Sequence, residues 1–96
     1  MDMRFDGEIW YWRGPAPFYF ATVPAPFSAD IKDIAFEVSY GWGVIPVRAR
    51  IGGTVWQTSL FPKDGRYALP VKVAVRRAER IDDGDMVSVQ MELDPG

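Results

Sequence analysis

The chain of 96 residues contains neither cysteine nor histidine. Without cysteine it forms no disulfide and has no thiolate, so its stability must come from packing, and this composition favours a reducing compartment. Without histidine it lacks the commonest metal ligand and the side chain best suited to proton transfer near neutral pH. We therefore expect no metal site and no cofactor, and we assign no catalytic residue. Any catalysis would depend on carboxylates, lysine, tyrosine or serine.

Long apolar runs are also missing. No stretch approaches the roughly 18 apolar residues of a membrane span, and the segment from Met1 to Phe5 carries Asp2 and Arg4 instead of the apolar run of a secretory signal. We expect a cytoplasmic protein with no membrane partner. The formal net charge of −2 gives no general attraction to nucleic acid. Hydrophobic residues make up 48% of the chain, which predicts one domain over residues 1–96 with a single core.

The first third of the chain predicts a hairpin followed by a short helix. Residues 3–12 alternate in polarity, residues 18–23 are aromatic and β-branched, and a Gly-Pro turn lies between them. Ser28 is then placed to cap a helix with its hydroxyl. The apolar residues that follow it at helical spacing are Ile31, Ile34, Ala35 and Val38.

The middle of the chain predicts a second hairpin. Residues 44–51 and 54–61 have strand alternation, and Gly52-Gly53 joins them as a two-residue turn in which both glycines take positive φ. Another turn at residues 62–65 leads to a short strand over 66–69. These segments therefore predict three more strands.

Residues 71–81 fit both a strand and a helix. We predict a helix, because Pro70 suits the first helical turn and because five apolar residues then share one stripe. Those five are Val71, Ala74, Val75, Ala78 and Ile81. The acidic turn at 82–85 ends this helix, and residues 86–93 form the last strand. The sequence thus predicts a mostly β (α+β) fold, a small closed or double-split β-barrel of about six strands capped by two short helices.

Several runs in the chain resemble a bacterial family known as domain of unknown function nineteen-oh-five. The runs are Arg50 to Pro62, Tyr67 to Ala78, Asp83-Gly84-Asp85, and, upstream, Trp10, Phe18 to Pro24 and Gly41-Trp42-Gly43. The resemblance implies a small double-split or cradle-loop barrel capped by helices, and it implies no activity, because the family has none established. Some members are fused to a bacteriocin-protection or OmpD-associated domain, a fusion that we do not expect here.

A second, shorter likeness lies between the predicted last helix and last strand. Residues 81–87 resemble the Gly-Asp box of swapped-hairpin transcription factors of the AbrB type. A glycine between acidic residues also suits any reversal from helix to strand. The likeness therefore keeps a DNA-binding architecture open without favouring it.

Cations and aromatic rings supply the predicted binding site. Lys72, Arg76 and Arg80 fall on one side of the predicted last helix, and such a row is either solvated or neutralised by an acidic neighbour or an anionic ligand. Arg48 and Arg50 share one strand face. An aromatic ring beside a cation can stack against an aromatic anion or a single-stranded base. The other interpretation of the tryptophans is that they pack in the core. The predicted ligand-binding residues are Trp42, Trp56, Ser59, Tyr67, Lys72, Arg76, Arg48 and Arg50.

Three functions follow as alternatives. The first is a non-enzymatic module that binds an anionic or aromatic small molecule or a protein partner through a basic and aromatic face. The second is a nucleic-acid-binding barrel of AbrB-like architecture, an analogy of fold alone. The third is an enzyme in which a desolvated Lys72 activates Ser59, without a nucleophile-elbow motif to support it. A calcium loop that begins at Asp83 fails, because Val87 and Ser88 occupy its fifth and sixth positions.

Overall fold

A computed structural model describes residues 2–15, 18–38 and 45–93. The elements of these residues are β1 (Asp2–Trp12), β2 (Phe18–Val23), α1 (Ala25–Val38), β3 (Ile45–Ile51), β4 (Thr54–Lys63), β5 (Arg66–Val71), α2 (Val73–Glu79) and β6 (Met86–Leu93). The strands pair in the cyclic order β1-β2-β5-β4-β3-β6, and each pairing is antiparallel. The predicted closed barrel of six strands with two short helices is confirmed.

Two long strands divide the barrel into two sheets. The first part of β1 pairs with β6 and its last part with β2, while β4 pairs first with β3 and then with β5. We call the group β1–β6–β3–β4 sheet A and the group β1–β2–β5–β4 sheet B. Each long strand therefore turns a corner of the barrel.

The barrel interior is filled by the alternate residues of each strand. Buried side chains from β1, β3 and β6 are Met3, Phe5, Ile9, Ile45, Val47, Ala49, Ile51, Val89, Met91 and Leu93. Full burial of an aliphatic side chain of this size contributes about 1.5–3 kcal/mol. This inward set agrees with the alternation in the sequence, with two exceptions: Val87 at the start of β6 is half-buried, and Tyr11 near the end of β1 is 38% exposed.

Ser28 does not cap α1, contrary to the prediction. The helix begins at Ala25, because proline is accepted in a first helical turn and Pro26 therefore does not stop it. The buried Ser28 hydroxyl donates to the Val23 carbonyl at 3.0 Å and accepts from the Tyr67 N–H at 3.2 Å. It thus ties α1 to β2 and β5.

The predicted apolar stripe of α1 is described only in its first half. Ile31 is fully buried against the barrel. The side chains of Ile34, Ala35 and Val38 lie outside the described part of the chain. The orientation of this face therefore rests on Ile31 and on the half-buried Phe27, which packs against the core.

Pro70 lies in a strand and does not begin a helix. It is opposite Phe20 in the pairing of β5 with β2, and Val71 is buried opposite Tyr19. The strand continues because Val71 fills the barrel, so α2 is shorter than predicted. Its buried residue is Val75, and two alanines of the expected stripe, Ala74 and Ala78, are exposed.

The two hairpin turns use positive φ differently. In the β3–β4 turn Gly52 has a φ of +58°, but Gly53 does not have positive φ, so the prediction for Gly53 is wrong. Positive φ at the first central residue alone is typical of a type II′ turn. In the β4–β5 turn both Asp64 and Gly65 have positive φ, as in a type I′ turn. Both types match the right-handed twist of paired strands.

The barrel has a short seam between β4 and β5. Their pairing covers Phe61 to Lys63 and does not extend to Pro70. Farther along, the buried Trp56 indole N–H donates to the Pro70 carbonyl at 3.0 Å. A side chain therefore joins these strands where the backbone pairing has ended.

Candidate binding surface

Of the predicted ligand-binding residues that the structure describes, Arg48 and Arg50 line one depression on sheet A, and the others do not join them there. Trp56 and Tyr67 point into the barrel and are 7% and 8% exposed, so their rings belong to the core. Burial raises the pKa of the Tyr67 hydroxyl. Ser59 is half-buried in β4, and no hydrogen bond joins it to Lys72, although both residues are described. Trp42 lies outside the described residues.

Arg48 and Arg50 lie on the outer face of sheet A, where charges of both signs alternate. The Arg48 guanidinium donates to the Glu92 carboxylate at 2.7 Å, and both side chains are about half exposed. Arg50 donates through Nε to the Gly52 carbonyl at 2.8 Å. Exposed pairs of this kind contribute roughly 0–1 kcal/mol. This face is a solvated polar sheet surface, and it does not meet α2 as a cluster of cations.

The predicted row of cations on α2 does not form. Lys72 precedes the helix in an extended conformation, and Arg80 follows it with a φ of 54°, so neither belongs to the helix. Within the helix, Arg77 is exposed, whereas Arg76 is half-buried and turns towards β2. The row fails because the helix covers Val73–Glu79 and not 71–81, so it is two residues shorter at each end than the sequence pattern predicts.

The outer face of sheet B carries a cluster of aromatic rings that we call the aromatic face. Its members are Trp10, Trp12, Phe18, Phe20 and Phe61. The rings of Trp10 and Phe20 stack with centroids 5.1 Å apart, and Trp12 lies 6.3 Å from Phe20. Trp12 and Phe61 remain 41% and 46% exposed. Sheet B is thus largely aromatic on its outer face as well as apolar on its inner face.

The aromatic face surrounds a half-open depression of about 290 Å³. The buried Ala68 forms its floor, and the rings of Trp12 and Phe61 stand at its edges. The Trp10 indole N–H donates to the Thr22 hydroxyl at 2.9 Å, which fixes the orientation of that ring. The surface is therefore held in place before anything binds to it.

Two cations border the aromatic face at the β4–β5 turn. Lys63 lies with its Nζ 5.7 Å from the centroid of the Trp10 ring, within the range of a cation–π interaction. Its paired neighbour across the hairpin is Arg66, which is exposed. The acidic residues near these cations are Asp64, at 4.0 Å from Lys63 and with its side chain 90% exposed, and the exposed Glu8, which lines the same depression as Lys63 and Arg66. Because both carboxylates are exposed to water, they only weakly offset the two cations.

The sequence predicts part of the aromatic face. Alternation places Trp10 and Trp12 on the outer side of β1, with Glu8. It does not predict Phe18 and Phe20, because nearly every residue of β2 is apolar and both of its faces look alike. The register of β2 decides which residues face outward. Because Ala21 and Val23 are buried, Phe18 and Phe20 are on the outer face.

Neither α1 nor α2, the helices of the described residues, is long and apolar enough to cross a membrane. In residues 2–15, 18–38 and 45–93 no group of three or more His, Cys, Asp or Glu residues is placed to hold a metal ion.

The fold and the aromatic face define a small antiparallel β-barrel with one polar and one aromatic outer surface. The sequence profile of a family described as Domain of unknown function (DUF1905) matches residues 5–91, which is nearly the whole chain. The chain belongs to this family, and the resemblance noted in the sequence is confirmed. No curated protein matches the chain.

Proposed function

We propose that this domain is a binding module that holds a short apolar segment of a protein partner on the aromatic face. The observation that carries the proposal is that the outer face of sheet B is largely aromatic, although its inner face is already buried in the core. An antiparallel sheet with one solvated face ordinarily presents polar residues there, as sheet A does. Contiguous exposed apolar patches mark interaction sites, and aromatic residues are enriched in the cores of interfaces.

The shape of the aromatic face favours a protein segment over a small molecule. Sites that enclose a small ligand are clefts of about 300–1,000 Å³ that cover most of its surface. The depression beside Trp12 and Phe61 has about 290 Å³, just below this range, and it is half open to solvent. A chain segment laid across it would contact both projecting rings, whereas a small molecule would stay largely in water.

The area of the aromatic face favours a short segment over a second copy of this chain. Trp12 and Phe61 expose 41% and 46% of their surface, which is on the order of 100 Å² each for side chains of this size. A stable interface covers about 800 Å² on each partner. The exposed rings supply only a fraction of that area, so they suit a short or transient contact.

The charges beside the aromatic face indicate an acidic residue in the bound segment. Lys63 and Arg66 lie together at one end, and the nearby Asp64 carboxylate is mostly in water. A carboxylate held there would form charge-assisted hydrogen bonds beside partly dehydrated rings. The proposed partner is therefore an apolar segment that carries an aspartate or glutamate next to its apolar residues.

Peptide display tests this proposal. A library of random dodecapeptides is selected on the wild-type domain, with binders to the Trp12→Ser variant removed. We expect enriched peptides to combine apolar residues with a neighbouring acidic residue, and to bind Phe61→Ser more weakly as well. Val55→Ser is the matched control, because Val55 is 55% exposed on the outer face of sheet A, and it should bind normally.

Three results would overturn the proposal. One is the absence of any peptide that prefers the wild type, and another is enrichment of peptides without acidic residues. The third is sedimentation of the wild type as a dimer that Trp12→Ser makes monomeric, which would assign the aromatic face to self-association. Nucleic-acid binding and catalysis remain predictions from the sequence, because no cluster among the described residues favours either.

A further inference from the structure

A second groove lies between α2 and the first hairpin, away from the sheet B depression. Its walls are apolar or aromatic, and the charged group among its lining residues is a single arginine. The lining residues are Tyr11, Phe18, Tyr19, Val71, Val73 and Arg76. The groove has a volume of about 360 Å³, which lies within the range of small-molecule sites.

Arg76 is held in this groove by an aromatic ring. Its guanidinium carbon lies 3.6 Å from the centroid of the Tyr19 ring, and Tyr19 packs against Tyr11 at 4.7 Å between centroids. Stacking of the planar guanidinium on a ring face leaves its N–H edge directed sideways. The ring therefore orients the donors of Arg76 without using any of them.

The charge of Arg76 has no counterpart in the described part of the chain. The ion pairs there join Arg48 to Glu92 and Lys63 to Asp64, and neither involves Arg76. Its Nε is buried and has no hydrogen-bond partner among these residues. A buried donor that belongs to a charged group is costly to leave unpaired. An arginine kept in this state is poised to accept an anion.

We propose that the groove binds a small organic monocarboxylate with an aromatic or branched aliphatic body. The carboxylate would pair with the guanidinium edge of Arg76, and the apolar body would lie against Tyr11 and Val73, which are 38% and 44% exposed. One guanidinium balances one negative charge, and the walls offer no further cation, so a monoanion fits better than a phosphate. This site shares Phe18 with the aromatic face, but it does not depend on the partner segment proposed there.

Nuclear magnetic resonance reports on binding at Arg76, because the Nε–H group of an arginine has its own ¹⁵N–¹H signal and belongs to the guanidinium that the carboxylate would pair with. The probes are phenylacetate and 4-methylpentanoate, each compared with its uncharged amide. We expect both acids to shift the Arg76 Nε–H signal and the backbone signals of Tyr11 and Val73 in a saturable way. The amides should bind about ten- to a hundred-fold more weakly, since they lack the charge-assisted hydrogen bonds.

Three variants distinguish this site from a general effect of charge. Arg76→Gln should weaken phenylacetate binding by the same factor, while Arg77→Gln removes an equal charge from the exposed side of α2 and should leave binding unchanged. Val73→Asp places a carboxylate at the groove and should abolish binding without unfolding, because Val73 is 44% exposed.

The proposal is overturned if the acids cause no shift of the Arg76 signal up to millimolar concentrations. It is also overturned if the amides bind as well as the acids, or if Arg77→Gln weakens binding as much as Arg76→Gln. Trp12→Ser should leave phenylacetate binding unchanged. The experiment therefore distinguishes failure of the proposal for this groove from failure of the proposal for the aromatic face.

Discussion

Replacement of Gly52 by alanine tests how α2 is held on the barrel. Gly52 has a φ of +58°, a conformation that costs an alanine about 1–2 kcal/mol. A Cβ at this position would also overlap the carboxylate of Glu79, at the end of α2. That carboxylate accepts a hydrogen bond from the Thr54 hydroxyl at 2.6 Å and would have to turn away.

The expected loss for Gly52→Ala is the sum of these two effects. A hydrogen bond to a charged group contributes about 1.5–3 kcal/mol, and the Thr54–Glu79 bond lies near the lower end because both residues are only half-buried. Together with the backbone strain, the free energy of unfolding should fall by roughly 2–4 kcal/mol. Urea unfolding followed by tryptophan fluorescence measures it.

Two other glycines supply matched controls. Gly65 has a φ of +78° and no atom within 4 Å of an added Cβ, so Gly65→Ala should lose only the strain. Gly53 has neither positive φ nor a close neighbour, so Gly53→Ala should change stability little. In a Glu79→Ala background, Gly52→Ala should cost no more than Gly65→Ala. An equal loss for Gly53→Ala and Gly52→Ala, or an unreduced loss in that background, would refute the reasoning.

Further predictions concern buried polar groups. Trp56→Phe should cost about 1–3 kcal/mol in urea unfolding, because the Pro70 carbonyl loses its donor; an unchanged midpoint would contradict this. Ser28→Ala should cost a similar amount, about 1–3 kcal/mol, since it leaves the Val23 carbonyl and the Tyr67 N–H unpaired, and thermal unfolding would show the loss as a lower Tm. Burial raises the pKa of Tyr67 above its unfolded value near 10, so its contribution to stability is complete below about pH 10 and is lost as the pH rises through the folded pKa. In Tyr67→Phe the free energy of unfolding, measured at several pH values, should fall less at alkaline pH than in the wild type. An identical pH profile for both proteins would contradict the assignment of the alkaline loss to Tyr67.

Much of the fold is predictable from the sequence because its turns are marked by glycine and proline. The bounds expected for β2 and β6 agree with the structure, and Gly52-Gly53 forms the expected hairpin. The prediction that Pro70 begins a helix is wrong for a physical reason. A residue without an N–H suits both a first helical turn and a strand position that needs no donor, and the choice depends on a neighbouring strand far away in sequence.

The binding surfaces are less predictable because they depend on barrel closure. Trp10 and Trp56 both lie in alternating strands, yet one ring contributes to an outer surface and the other closes the core. The stacking of Arg76 on Tyr19 joins residues that are distant along the chain, and no local pattern encodes it. The sequence indicates which residue types are available, whereas the pairing of β2 with β5 decides which of them meet.

The seam closed by Trp56 has a consequence for how the barrel opens. A single side-chain hydrogen bond is released more easily than a backbone ladder, so local unfolding should begin between β4 and β5, with fast amide exchange there and a red shift of indole emission. An opened barrel exposes strand edges that invite strand exchange with another molecule. Pro70 lies two residues beyond the last β4–β5 pair and offers no N–H to a strand from another molecule, so it protects the unpaired part of this edge.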